Sequence, residues 1–170
     1  MDAAPSLVEI ADAFATVQLE AILIGNAGAA LQGAPVTTVD FDFLYRSSPA
    51  NLAKLNQVAD LLAGTITQPF PTISSFYRIL RHHSPLQIDL VSQIHGGKSF
   101  NSLRSNAVQV EINGRTIWVA ALADIIKSKK EANRPQDLAV LHVLQRTFEE
   151  QEATKTNQAA AGTGSDASSK

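Results

Sequence analysis

The chain has 170 residues, 45% of them hydrophobic, with a formal net charge of -2 and no cysteine. That suffices for one domain with its own core and excludes disulfides, thiolate metal ligands and a global attraction to nucleic acid or membrane. No apolar run approaches the roughly 20 residues of a membrane span, and Met1-Asp-Ala-Ala-Pro5 lacks a basic secretory start, so a soluble cytoplasmic protein is expected.

Helix and strand patterns alternate along the chain. Ser6 predicts a helix cap, with Glu9 three residues on and Leu7, Ile10, Ala11 and Phe14 along one face. Residues 20–24 read as a buried strand ending at Gly25, and 26–32 as a short helix stopped by Gly33. A strand over 39–45 and an amphipathic helix over 49–62 follow, then strands over 76–80 and 86–92. Residues 108–112 and 116–119 flank Asn113-Gly114, a hairpin signal. Helices over 122–132 and 135–148 close the pattern, with Pro135 suited to a first helical position. The order αβαβαββββαα predicts an α+β domain over 1–149: a mixed sheet with packed helices and a closing helical pair. Residues 150–170 carry no large apolar side chain and are expected to form a disordered tail.

Asp40 and Asp42 lie two apart on the 39–45 strand and so project from one face, while Val39, Phe41, Phe43 and Tyr45 project from the other. Adjacent carboxylates repel, and each raises the other's pKa unless a cation lies between them. Magnesium takes one or two carboxylates together with substrate phosphates. Asp89, on the 86–92 strand, can complete such a cage. The glycine-rich turn from Gly25 to Gly33 either lets a phosphate approach the backbone or serves the geometry of the strand–helix turn alone. Leu122, Ile125, Ile126 and Lys129 share a helix face, with Lys127 and Lys130 outside it, and Asp137 shares a face with Leu141 and Leu144. Lys129 therefore either snorkels to water or pairs with Asp137, with Arg134 as the competing partner. Gly96-Gly97-Lys98-Ser99 fails as a phosphate loop, because Ser92 stands where the pattern needs glycine. His82, His83 and His142 read as surface or strand-end residues, and His95 lies near Asp89 in sequence.

Gly25-Asn26, Thr38-Val-Asp40-Phe-Asp42 and a third Asp on a later strand together resemble the nucleotidyltransferase superfamily with the DNA polymerase β-like fold. The segment from Lys129 through Arg134 to Asp137 resembles the small bacterial abortive-infection and toxin-antitoxin members. The resemblance implies metal-dependent transfer of an NMP from an NTP to an acceptor hydroxyl or phosphate. It implies metal ligation by Asp40, Asp42 and Asp89, with two magnesium ions (Mg2+, or Mn2+) and Asp89 activating the attacking hydroxyl. It implies nucleotide contacts from Gly25, Asn26, Thr38 and Lys129, and a supporting Arg134–Asp137 pair. The acceptor is left open among protein, tRNA and small molecule, with a partner protein an option. Asn26 stands where Ser or Gly is usual and Val36 where many relatives carry Arg, which removes a bidentate cation for the triphosphate. The rival expectation is a degenerate, non-catalytic protein that binds a nucleotide or an antitoxin-like partner.

Overall fold

The structure, a computed structural model, describes residues 3–69 and 75–162. Leu7, Ile10 and Phe14 recur at helical spacing and bury one face of α1 (Ala3–Val17). The chain then runs through β1 (Ala21–Leu23), α2 (Gly25–Ala30), β2 (Asp40–Tyr45), α3 (Pro49–Leu61), β3 (Gly64–Thr67), β4 (Phe76–Arg81) and β5 (Gln87–Val91). It continues with α4 (Phe100–Asn106), β6 (Val108–Ile112), β7 (Arg115–Val119), α5 (Leu122–Ala132) and α6 (Pro135–Gly162). The strands form one mixed sheet in the order β3-β4-β5-β2-β1-β7-β6, with β2 parallel to β5 and β1 parallel to β7. This is the expected α+β architecture.

Strand alternation divides the core in two. Phe41, Phe43, Tyr45, Ile79, Ile88 and Leu90 face the core shared with α1 and α3. Fully burying such a side chain contributes about 1.5–3 kcal/mol. On the opposite face Leu44 packs with Leu103 of α4, Leu122, Ile125 and Ile126 of α5, and Leu144 of α6. Asp40 and Asp42 share the strand face of Leu44, so the carboxylates emerge on the side covered by α2 and α5. Asn113 and Gly114 have φ of 48° and 77°, the pair of positive values a type I′ hairpin turn demands.

Four expectations are corrected. Ser6 lies inside the first turns of α1 instead of capping it, since helical conformation already begins at Ala3. Val39 precedes β2 and is 89% exposed; only from Asp40 onward does β5 pair with the strand and fix the alternation. The edge strand β3 and the helix α4 are additional to the αβαβαββββαα order. β3 is a half-exposed four-residue edge strand, too short for periodicity to signal. Finally, α6 runs on to Gly162, well into the segment expected to be disordered; 163–170 lie outside the described residues. Glu, Gln, Lys and Ala there are strong helix formers, and they extend a helix already nucleated by packing around Leu144. Ion pairs Arg146–Glu150 at 3.1 Å and Lys155–Glu152 at 2.8 Å bridge successive turns. Among the described residues, no helix is long and apolar enough to cross a membrane.

Candidate active site

Sheet register brings the carboxylates together. Across the parallel ladder Asp42 lies opposite Asp89, and Asp40 opposite Gln87. Across the antiparallel β4–β5 ladder Arg78 lies opposite Asp89, so Arg78, Asp89 and Asp42 form one row over three strands. One oxygen from each of Asp40, Asp42 and Asp89 lies within 4.8 Å of the others. An all-oxygen donor set of this size suits a hard divalent cation.

The three carboxylates differ in what already holds them. Thr38 Oγ1 donates to Asp40 Oδ1 at 3.0 Å and lies 2.8 Å from the Asp40 carbonyl. Asp89, almost fully buried, accepts two bonds from Arg78, Nε to Oδ1 and Nη2 to Oδ2, both 2.7 Å. With its amide oxygen turned toward Arg78, Gln87 accepts from the same two nitrogens at 3.2 Å. Asp89 keeps Arg78 protonated above its ordinary range. Among the described residues no hydrogen-bond donor reaches the Asp42 carboxylate. Burial, then the charges of Asp40 and Asp89, push Asp42 up to about 7, against a smaller pull from Lys129 and Arg134. A carboxylate in this condition, beside Asp40 and Asp89, is suited to binding a divalent cation.

Gly25 has φ of +65°, and a Cβ placed on it would overlap Asp42 Oδ2. The turn therefore uses glycine twice over, for the backbone conformation and for the approach of the carboxylate. Asn26 follows at the start of α2; its Nδ2 donates to the Thr37 carbonyl at 3.4 Å, while its Oδ1 is buried without a partner among the described residues. Val36 packs against the second core, so no cation reaches the site from that position.

Asn133, in the left-handed region at φ 51°, ends α5, and Pro135 opens α6, folding Lys129 and Asp137 onto each other. Asp137, 1% exposed, accepts from Lys129 Nζ at 2.9 Å and Arg134 Nε at 2.6 Å. Burial pushes its carboxyl upward, but the two cations outweigh that and hold it below its ordinary value. Both pairings weighed from the sequence are thus present together, and the charges of Lys129 and Arg134 still act on Asp42. Lys127 and Lys130 are exposed.

Arg78 and Gln32 were not legible as site elements. Arg78 had a signal: counting outward from the turn between β4 and β5 sets position 78 against 89. Gln32 donates to the carbonyls of Gly28 and Ala120, both at 2.9 Å, and accepts from Leu122 N at 3.1 Å, tying α2 to the start of α5. No local pattern announces that clamp. Lys98 of the glycine-rich loop is paired with Asp124, and His95 is exposed. An apolar cleft of about 300 Å³ lies between α1 and β7, lined by Phe14, Phe43 and Trp118.

No protein-family model and no curated protein matches the sequence. Solved structures do match in fold, an adenylyltransferase and proteins described as putative nucleotidyltransferases among them. The antibiotic-resistance factor ANT(2″)-Ia in solution is 11% identical, over 96% of this chain and 97% of that one, with a TM-score of 0.61. The same factor in complex with adenylyl-2″-tobramycin is 11% identical over 96% and 99%, also at 0.61. The lincomycin-bound lincosamide antibiotic adenylyltransferase LnuA is 14% identical over 82% and 94%, at 0.60. The chain thus has the nucleotidyltransferase fold.

Proposed function

We propose that this chain is a metal-dependent nucleotidyltransferase that moves a nucleoside monophosphate from an NTP to an acceptor hydroxyl, releasing pyrophosphate. The observation that carries the reading is the convergence of Asp40, Asp42 and Asp89 around an Asp42 carboxylate that has no donor among the described residues. Asp40 and Asp42 would hold magnesium or manganese, which when bound neutralises phosphate charge and acidifies a coordinated hydroxyl. The turn at Gly25 and Asn26 offers backbone to the phosphates beside Asp42. Thr38 orients Asp40. Lys129, held by Asp137, and the half-exposed Arg134 supply positive charge on the same side. Each Asp89 oxygen keeps a second lone pair beyond its bond to Arg78, enough to accept the proton of an acceptor hydroxyl. The antibiotic-modifying neighbours make a small-molecule hydroxyl the first acceptor to test.

A second reading has its own support. Val36 turned into the core and Asp89 engaged by Arg78 both fit a degenerate site that binds a nucleotide or a partner protein without turnover. Incubation with each α-labelled NTP, magnesium and candidate acceptors separates the two. Transfer of label and release of pyrophosphate, both lost in Asp42→Asn, is the expected result. Nucleotide binding without pyrophosphate under every condition favours the nucleotide-binding form of the degenerate reading, and the absence of any nucleotide effect refutes the enzyme and leaves only the partner-binding form.

A further inference from the structure

The proposed reaction usually asks for positive charge at two points, one on the phosphates and one at the acceptor oxygen. Here one of those points is already filled by the chain. The β4–β5 register sets Arg78 across from Asp89, and the guanidinium closes on both carboxylate oxygens at 2.7 Å. A planar fork in this geometry is a strong, pre-organised pair. It is not a loose surface contact, since the Arg78 and Asp89 side chains are 28% and 8% exposed. The Phe76 ring, 5.6 Å from the guanidinium carbon, gives it a further support. Nε and Nη2 serve Asp89 and Gln87, leaving the two Nη1 protons for another oxygen. Asp40 and Asp42 remain on the other side of Asp89, and Asp42 is the carboxylate that has no donor among the described residues. One guanidinium and one divalent ion balance the three carboxylates in charge.

We propose that Arg78 stands in for a second metal: one divalent ion sits between Asp40 and Asp42, and the guanidinium fixed on Asp89 supplies the positive charge at the acceptor oxygen. The inference rests on the nucleotidyltransferase reading and refines it. Asp89 becomes the residue that orients Arg78 and takes a proton, and Arg78 the residue that touches the acceptor. The arrangement also accounts for a carboxylate row in which both Asp89 oxygens accept from a protein cation while, among the described residues, Asp42 has no donor.

The test counts manganese. Electron paramagnetic resonance titration of the whole chain, with α,β-methylene analogues of ATP, GTP, CTP and UTP tried in turn, gives the number of ions bound per chain. One ion is expected in the wild type and in Arg78→Lys, which keeps a charge on Asp89. Two are expected in Arg78→Gln, with the line broadening of a pair about 4 Å apart. Two ions in the wild type, or one in a folded Arg78→Gln, overturn the inference while leaving the proposed function standing. Should Arg78→Gln fail to fold, the wild-type count alone decides between one ion and two. No manganese bound by the wild type with any analogue overturns the inference together with the function it refines.

Discussion

Gly25 and Asp42 are in mutual contact at a point where no other residue type fits: the backbone at 25 is left-handed, and a Cβ there would occupy the space of Asp42 Oδ2. The glycine turn and the carboxylate strand are therefore one unit, joined further by the bond from Ile24 N to the Asp42 carbonyl at 2.8 Å. Gly25→Ala should lose about 1–2 kcal/mol from the left-handed backbone alone. It should also push the Asp42 carboxylate aside, and a displacement of that kind at a reacting centre reduces turnover by about 10²-fold. Chemical unfolding and the magnesium-plus-NTP shift in melting temperature measure the two effects separately. A variant that loses stability yet keeps the full ligand shift would remove Asp42 from the metal site.

The position of Asp42 near pH 7 makes a signed prediction. Its folded value is about 7 and its ordinary value 3.8, so between these the metal-free folded chain holds a proton that the unfolded chain has released. Stability from this group is accordingly greatest at low pH and declines as pH rises through that window, levelling off above it. Urea unfolding with a chelator present, from about pH 5 to about pH 8, should show the decline in the wild type and a flatter profile in Asp42→Asn. Metal affinity should run the opposite way, falling about tenfold per unit below pH 7 because metal and proton compete for the same oxygen. Matching slopes in the wild type and Asp42→Asn would assign the pH response to another group.

Much of this site was legible because its residues obey local periodicities. Asp40 and Asp42 follow the period of two, and Lys129 follows the apolar stripe of α5. Their convergence with Asp89 is a matter of register, which two separate strands do not reveal until β5 is paired alongside β2. Arg78 needed one register more. Gln32 acts through three backbone partners at the α2–α5 junction, and nothing in its neighbours predicts such a clamp. The end of α6 is hidden for a different reason: beyond Phe148 no apolar residue marks a core-facing stripe, yet helix propensity extends a helix anchored elsewhere.

The Lys129–Asp137–Arg134 triad predicts a graded series. Asp137→Ala leaves Lys129, whose side chain is only 12% exposed, without its anion, and breaking such a buried pair costs about 3 kcal/mol or more. Lys129→Met keeps the apolar stem, and Arg134 still serves Asp137, so about 1–3 kcal/mol is expected together with weaker NTP binding. Lys127→Met, at an exposed position, should be silent in both measurements. The contribution of Asp137, held below its ordinary pKa, is present at neutral pH and disappears as pH falls through the folded value. Equal effects at Lys127 and Lys129 would contradict the orientation of α5.

The far end of α6 separates docking from mere helix propensity. Gln151 Nε2 donates to the Gln32 carbonyl at 2.5 Å, so the helix reaches back to the residue that clamps α2 onto the start of α5. Beyond it, 152–158 are exposed and, among the described residues, are bridged along the helix itself. Removing 152–170 should therefore change stability by less than about 0.5 kcal/mol while reducing the helical circular dichroism signal. Removing Gln151 as well should lower stability by about 1 kcal/mol, because the partly buried Gln32 carbonyl loses its donor. Gln151→Ala in the full chain should reproduce that loss without touching the helical signal. A large loss from the shorter truncation would mean that 152–170 packs on another surface; equal stability of the two truncations would mean that Gln151 does not hold the α2–α5 junction.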